Sequence, residues 1–137
     1  MSAEVFKYPL LIRESHLDTF GHMNNARYLE IFEEARWEIV TSKGFGLKDV
    51  QKTGLGPIIL EVNLKFKREI ALREQIIIES QTQSYRGKIA HMKQWIKKND
   101  GKVATEMDLT FGLFDTRQRK LVPPTPEWLH AIGAEYL

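Results

Sequence analysis

The sequence contains no cysteine among its 137 residues, so disulfides, thiolate nucleophiles and cysteine-based metal sites are excluded. No apolar run approaches the roughly 20 residues that cross a bilayer, and the N-terminus lacks the basic-then-apolar order of a signal peptide. There is also no phosphate-binding or dinucleotide-binding glycine motif, and no spacing of His, Asp and Glu typical of a metal site. We therefore expect a cytoplasmic protein with no cofactor, no metal and no membrane insertion.

The composition, with 42% hydrophobic and 28% charged residues, is typical of one soluble globular domain, which we place over residues 1–137. The net charge is only +2, but residues 61–102 carry ten Lys or Arg against five Asp or Glu. This basic segment fits a small polyanion such as a nucleotide-bearing molecule, and solvated lysines on exposed strands explain it equally well. Because no aromatic stacking platform accompanies these charges, we expect no nucleic-acid partner.

Hydrophobic periodicity predicts one strand, one long helix, and then four strands joined mostly by short turns. The strand at 6–14 is followed by the helix at 24–42, four strands between 56 and 115, and a short helix that begins at 126. Short turns require antiparallel pairing. The predicted fold is therefore α+β, with a five-stranded antiparallel sheet around one long helix and a short C-terminal helix. Two sheet edges stay open in this arrangement, which favours pairing between copies of the chain.

Two local expectations follow from the same patterns. Strict alternation in the second strand predicts that its apolar residues share one face, namely Ile58, Leu60, Val62, Leu64 and Phe66. The polar residues Glu61 and Asn63 then lie on the opposite face. The segment "GLKDVQKTG" at 46–54 is predicted to be a surface loop.

The stretch "HLDTFGHMNNARYLE" at 16–30 places an acid, Asp18, and a histidine, His22, directly before the long helix. A helix start presents unpaired N–H groups and the positive end of the helix dipole, which can stabilise an oxyanion. An aspartate beside it can act as nucleophile or as general base toward water. Each residue also has a plain structural explanation: Asp18 can close a loop, His22 can be a surface residue, and Asn24 or Asn25 can cap the helix.

The string "D..GHMNNARYLEIFEEAR", together with the strand order, resembles the hotdog-fold acyl-CoA thioesterases of the 4-hydroxybenzoyl-CoA thioesterase-like family over residues 5–122. The resemblance implies hydrolysis of an acyl-CoA or acyl-carrier-protein thioester. It also implies a homodimer with one continuous sheet, pairing of dimers into a homotetramer in many members, and active sites at the dimer interface. The family's catalytic acid falls on Asp18, its histidine on His22, and its helix-start asparagine on Asn25.

Five further residues are candidates for substrate binding. Gly21 would let the chain pass close to the thioester, and the N–H of Ala26 would bind the carbonyl oxygen. Asn63 would line the interface cleft from the polar face of its strand. Arg86 and Lys88 flank a tight turn and are candidates to meet the phosphates of coenzyme A. A second basic group at the end of the second strand could do the same: Lys65, Lys67 and Arg68.

Two other functions stay open on the sequence. A hotdog hydratase or dehydratase would also place an acid and a histidine near the helix, but its string resembles D-x-N-P-x-H, whereas this chain has "DTFGH". A non-catalytic module would bind acyl groups or a partner protein. Many relatives carry a tyrosine just before the acid, and the corresponding "ESHL" has none.

Overall fold

The computed structural model describes residues 3–137 as one antiparallel sheet curled around one long helix. The strands are β1 (Val5–Leu11), β2 (Leu55–Phe66), β3 (Gln75–Arg86), β4 (Ile89–Lys97), β5 (Val103–Asp115) and β6 (Lys120–Val122). The helices are α1 (Asn25–Ser42), α2 (Leu47–Thr53) and α3 (Pro126–Ala131), with a single 3₁₀ turn at Glu14–His16. The predicted α+β fold is confirmed, and β6 is an addition to it.

The order of strands across the sheet is β1-β3-β4-β5-β2, and every neighbouring pair is antiparallel. The short strand β6 pairs with the end of β5, beyond the point where β4 stops. Strands β1 and β2 form the two edges of the sheet. Pro9, which cannot donate a backbone hydrogen bond, lies in the edge strand β1 as its chemistry requires.

Helix α1 packs on the concave face of the sheet because one side of it is apolar. Its buried residues recur at helical spacing and include Tyr28, Phe32, Ala35 and Ile39. The side chain of Asn24 accepts a hydrogen bond from the N–H of Arg27 and so caps the helix start. Between the two asparagines that the sequence offered as caps, the structure selects Asn24.

A β-bulge interrupts the alternation predicted for β2. Ile59 pairs with Phe111 and Glu61 with Thr110, so Leu60 has no partner and adds one residue to the strand. Because directly paired residues share a face of the sheet, Ile59 and Val62 both lie on the concave face. The prediction that Ile58 and Leu60 share a face with Val62, Leu64 and Phe66 is therefore wrong, although the last three do share one.

The segment predicted as a surface loop, 46–54, contains the helix α2. Asp49 accepts a hydrogen bond at 2.9 Å from the N–H of Gly46, which caps the helix start. Gly54 ends the helix in the left-handed conformation, with φ of 79°. The seven residues of α2 were too few to show a helical period in the sequence.

The C-terminal helix α3 closes one end of the core. It begins at Pro126, where the sequence predicted a short helix, and Thr125 caps it. The indole of Trp128 is 1% exposed and packs against Phe45 and Phe111, with ring centroids 5.0 and 6.1 Å away. No helix within residues 3–137 is both long enough and apolar enough to cross a membrane.

Candidate active site

The loop before α1 is closed by the carboxylate of Asp18. Its Oδ1 accepts hydrogen bonds from the N–H of Phe20 at 2.9 Å and of His22 at 3.1 Å. Its own N–H donates to the carbonyl of His22, and its carbonyl accepts from Gly21. Gly21 has φ of 78°, a conformation that favours glycine. Within residues 3–137, Oδ2 has no hydrogen-bond partner, so Asp18 both builds the loop and keeps one carboxylate oxygen available.

The start of α1 follows this loop directly. Met23 is buried in the core and anchors the join between loop and helix. The hydrogen bonds of the described part of the chain include none from the N–H of Asn25 or Ala26, the first two residues of the helix. Free N–H groups at a helix start, aided by the helix dipole, are suited to binding an oxyanion.

The structure therefore brings five of the predicted site residues onto one surface: Asp18, Gly21, His22, Asn25 and Ala26. All five are exposed in the single chain. This surface carries an acid, an imidazole and free N–H donors, which are the groups that thioester hydrolysis needs. In the single chain this surface is open to water.

The other three predicted residues lie elsewhere in the chain. Asn63 pairs with Asp108 on the convex face of the sheet, which is the face away from α1. Arg86 and Lys88 are exposed at the turn between β3 and β4. The Asp18 loop follows β1, and β1 ends beside Gln75 at the start of β3. The turn lies at the opposite end of β3, about 36 Å away along that strand.

A cavity between α1 and the sheet was not predicted as such from the sequence. It has a volume of about 120 Å³ and is mostly apolar. Its walls include Trp37, Ile59, Met92, Phe111 and Trp128. The α1 residues that line it begin at Glu33, eight positions after the helix start, so it lies about 12 Å or more along the helix axis. Sequence periodicity showed the apolar stripe of α1 but not this gap in the packing.

Two charged side chains of α1 line the cavity, Glu33 and Arg36, and Arg36 is the more buried of the two. Its Nη1 donates to Oε1 of Gln94 at 2.7 Å, and Gln94 is fully buried. Burial lowers the pKa of Arg36 to about 10, and the nearby Glu33 carboxylate opposes that shift. In the portion of the chain that the structure describes, no carboxylate lies within salt-bridge distance of Arg36.

The fold and the site together define a class of protein. Residues 12–132 match the model of the thioesterase-like superfamily, and the chain belongs to this family. The predicted family is thereby confirmed. Among residues 3–137, no three His, Asp or Glu side chains are grouped as metal ligands would be.

Individual relatives agree with this assignment. The chain is 32% identical to the long-chain acyl-CoA thioesterase FadM of Escherichia coli K12 over 111 residues, which are 80% of this chain and 83% of that protein. The probable thioesterase YbaW of Escherichia coli has a similar structure, with a TM-score of 0.81, 28% identity, and coverage of 93% of this chain and 98% of that one. The protein SAV2348 of Staphylococcus aureus, solved in complex with CoA, has a TM-score of 0.87 at 20% identity over 99% of this chain and 86% of that one, and so supports the fold alone.

Proposed function

We propose that the chain hydrolyses acyl-CoA thioesters and that the carboxylate of Asp18 is its general base or nucleophile. The class of enzyme, a thioester hydrolase, follows from the family. The acyl-CoA substrate is proposed from the similarity to FadM, which is named a long-chain acyl-CoA thioesterase. The observation that carries the role of Asp18 is its free Oδ2, held by the loop beside the unpaired N–H groups at the start of α1.

In the proposed reaction, the thioester carbonyl oxygen accepts hydrogen bonds from the N–H groups of Asn25 and Ala26. As a general base, Asp18 takes a proton from a water molecule that attacks the carbonyl carbon. As a nucleophile, its carboxylate attacks that carbon itself, and water then hydrolyses the resulting anhydride. In both routes the C–S bond breaks, the CoA sulfur takes up a proton, and the free acid leaves. His22 donates a hydrogen bond to the carbonyl oxygen or orients the acid.

The proposed enzyme is a homodimer that pairs through the free edge of β2. This edge exposes large apolar side chains, each at least 40% exposed: Ile59, Leu60, Val62 and Phe66. An open apolar edge strand is a site for pairing with another strand. In a two-fold interface the same patch meets itself. With the axis at the centre of this patch, Ile59 of one copy lies opposite the partner's Phe66.

This pairing would complete the active site from two chains. The ring of Phe66 contacts Tyr28 in the first turn of α1, with centroids 4.9 Å apart. Ile59 lines the cavity. Placing the partner's Phe66 beside Ile59 therefore brings the partner's helix start next to the cavity of this chain. The catalytic loop of one copy would hold the thioester, and the cavity of the other would receive part of the acyl group.

The same pairing gives Arg86 and Lys88 a use. Through the β4–β5 and β2–β5 pairs, Ala90 and Ile59 lie at the level of Phe111, so this turn lies at the same end of the sheet as the cavity. Its positive charges would then meet the CoA phosphates bound at the partner's helix start. Asn63, on the convex face, would contribute only at the rim of the interface.

The experiment is to follow thiol release from short-chain, long-chain and aromatic acyl-CoAs and from an acyl-carrier-protein thioester, with light scattering on the same sample. We expect turnover of at least one CoA ester by a dimer or tetramer. Turnover of the carrier-protein ester alone would overturn the CoA part of the proposal. Binding of acyl-CoA without turnover would favour a non-catalytic acyl-binding module, and release of water from a hydroxyacyl-CoA would favour a dehydratase.

A further inference from the structure

The cavity beside α1 is apolar except for two side chains from the helix, Glu33 and Arg36. An apolar cavity of about 150 Å³ admits a benzene-sized group. The volume here, about 120 Å³, is somewhat smaller, which leaves room for a short segment of an acyl chain. A cavity that binds only hydrocarbon is best lined by apolar side chains, because a charge that faces hydrocarbon loses its hydration without gaining a hydrogen bond.

A buried hydrogen-bond network holds the guanidinium of Arg36 in the cavity wall. Gln94 donates through Nε2 to the carbonyl of Phe32 at 3.1 Å and to Oγ of Ser80 at 2.9 Å. With its amide nitrogen used in this way, Gln94 must present Oε1 to Arg36. Both Gln94 and Ser80 are 0% exposed, so water cannot replace their hydrogen bonds, and the position of the Gln94 Oε1 is fixed.

Most of the donor capacity of Arg36 remains free. A guanidinium carries five N–H donors, and among residues 3–137 Arg36 donates only to Gln94. Its remaining N–H groups therefore need an acceptor that the cavity walls do not supply. Water can accept these hydrogen bonds when no acyl group is bound. An acyl chain that fills the space displaces that water, and a plain hydrocarbon offers no acceptor in its place.

We propose that this cavity selects acyl groups that carry a neutral oxygen, a hydroxyl or an oxo group, along their chain. Arg36 donates to that oxygen and is a specificity-determining residue. A neutral oxygen is favoured over a carboxylate because the Glu33 carboxylate lines the same cavity and would repel a second negative charge. A hydroxyl can also donate to Glu33 while it accepts from Arg36. The orientation of the chain rests on the proposed thioesterase function, whereas the binding preference does not.

The test compares binding of non-hydrolysable thioether analogues of acyl-CoA of equal chain length. One is plain, others carry a hydroxyl or oxo group near the sulfur, in mid-chain or at the end, and one ends in a carboxylate. Binding is followed by the fluorescence of Trp37 and Trp128, which line the cavity. We expect at least one oxygenated chain to bind about tenfold more tightly than the plain one, the usual effect of a hydrogen bond to a charged donor.

Two variants of Arg36 and one control assign the preference to this side chain. Arg36→Met keeps the length of the side chain and should abolish the preference while plain-chain binding is retained. Arg36→Lys keeps a donor for Gln94 and the positive charge, and should retain part of the preference. It serves as the test if the Met variant does not fold. Lys102→Met removes an exposed charge in the β4–β5 turn and should change nothing.

The outcomes separate this inference from the proposed function. Equal binding of all neutral chains by the wild type, or an unchanged preference in Arg36→Met, would overturn the role of Arg36. Tightest binding of the carboxylate chain would overturn the choice of a neutral oxygen. Thiol release is measured separately with the matching thioesters. Selective binding without any thiol release would sink the hydrolase proposal and support this one, whereas hydrolysis without any preference would do the reverse.

Discussion

Replacing Asp18 with Asn separates the chemical role of this residue from its role in the loop. The amide oxygen of Asn can still accept the N–H bonds of Phe20 and His22, so the loop keeps its shape. A hydrogen bond to a charged acceptor contributes about 1 kcal/mol more than one to a neutral acceptor. With two such bonds in an exposed loop, we expect the free energy of unfolding to fall by at most about 2 kcal/mol. The amide can neither attack nor accept a proton, so kcat should fall by about 10²–10⁴-fold.

Asp115 provides a matched control for this substitution. Its Oδ1 also accepts two backbone N–H bonds, from Arg117 at 2.9 Å and Gln118 at 3.0 Å, in a turn after β5. These bonds, first that from Gln118, hold the pKa of Asp115 below its ordinary value. Asp115→Asn should therefore weaken its turn and leave kcat unchanged.

The assay is thiol release from the best acyl-CoA substrate, with urea unfolding and light scattering on each variant. Equal kcat for wild type and Asp18→Asn, with the oligomer intact, would refute the catalytic role and direct attention to His22. A similar loss of kcat in Asp115→Asn would show that loop stability, and not the carboxylate, limits the rate.

Three further predictions concern the dimer edge, the buried network and one ionisable contact. Val62→Lys should place a charge in the proposed interface, give a monomer by light scattering and lower thiol release at least about 100-fold. The control Val5→Lys, on the opposite edge of the sheet, should remain a dimer. A dimeric, active Val62→Lys would contradict the interface. Gln94→Leu should lower the free energy of unfolding in urea by about 2–4 kcal/mol, because it leaves buried partners without hydrogen bonds, and an unchanged midpoint would refute this. The hydroxyl of Tyr8 donates to Glu34 at 2.5 Å, and this bond and burial raise the pKa of Tyr8 from 10.0 to about 12. Because the raised pKa stabilises the neutral form in the fold, Tyr8→Phe should lose about 1 kcal/mol at neutral pH after allowance for solvent screening. That difference from wild type should vanish as pH rises from about 10 through 12, and a constant difference across this range would contradict it.

Much of the fold could be predicted because its signals are local. The periodicity of apolar side chains predicted α1, and the short segments between apolar runs predicted the turns that join the later strands. Short connections forced antiparallel pairing, and from this the α+β arrangement followed. The loop acid and the helix start are adjacent in the chain, so their proximity in the site needed no long-range information. The roles of Asp18, His22 and Asn25 remain predictions.

Other features could not be predicted because they depend on register between distant strands. Alternation alone assumes one residue per pleat, and the bulge at Leu60 changes which face every preceding residue of β2 occupies. Likewise, the sequence does not show whether the polar face of β2, which carries Asn63, is the face toward α1 or the convex face of the sheet. The distance between Arg86 and the Asp18 loop is also set by strand pairing and is invisible in the sequence.

Local chemistry in the chain thus specified most of the elements, their order and a candidate catalytic loop next to a helix start, because each of these depends on neighbours within a few residues. Only the tertiary structure could decide where the sheet bulges, where packing leaves a cavity, and that Arg36 meets Gln94, 58 positions away in the chain. The physical reason is that buried side chains from distant segments must fill space and satisfy one another's hydrogen bonds. That condition is set by all the packed elements at once and is encoded in no single stretch of sequence.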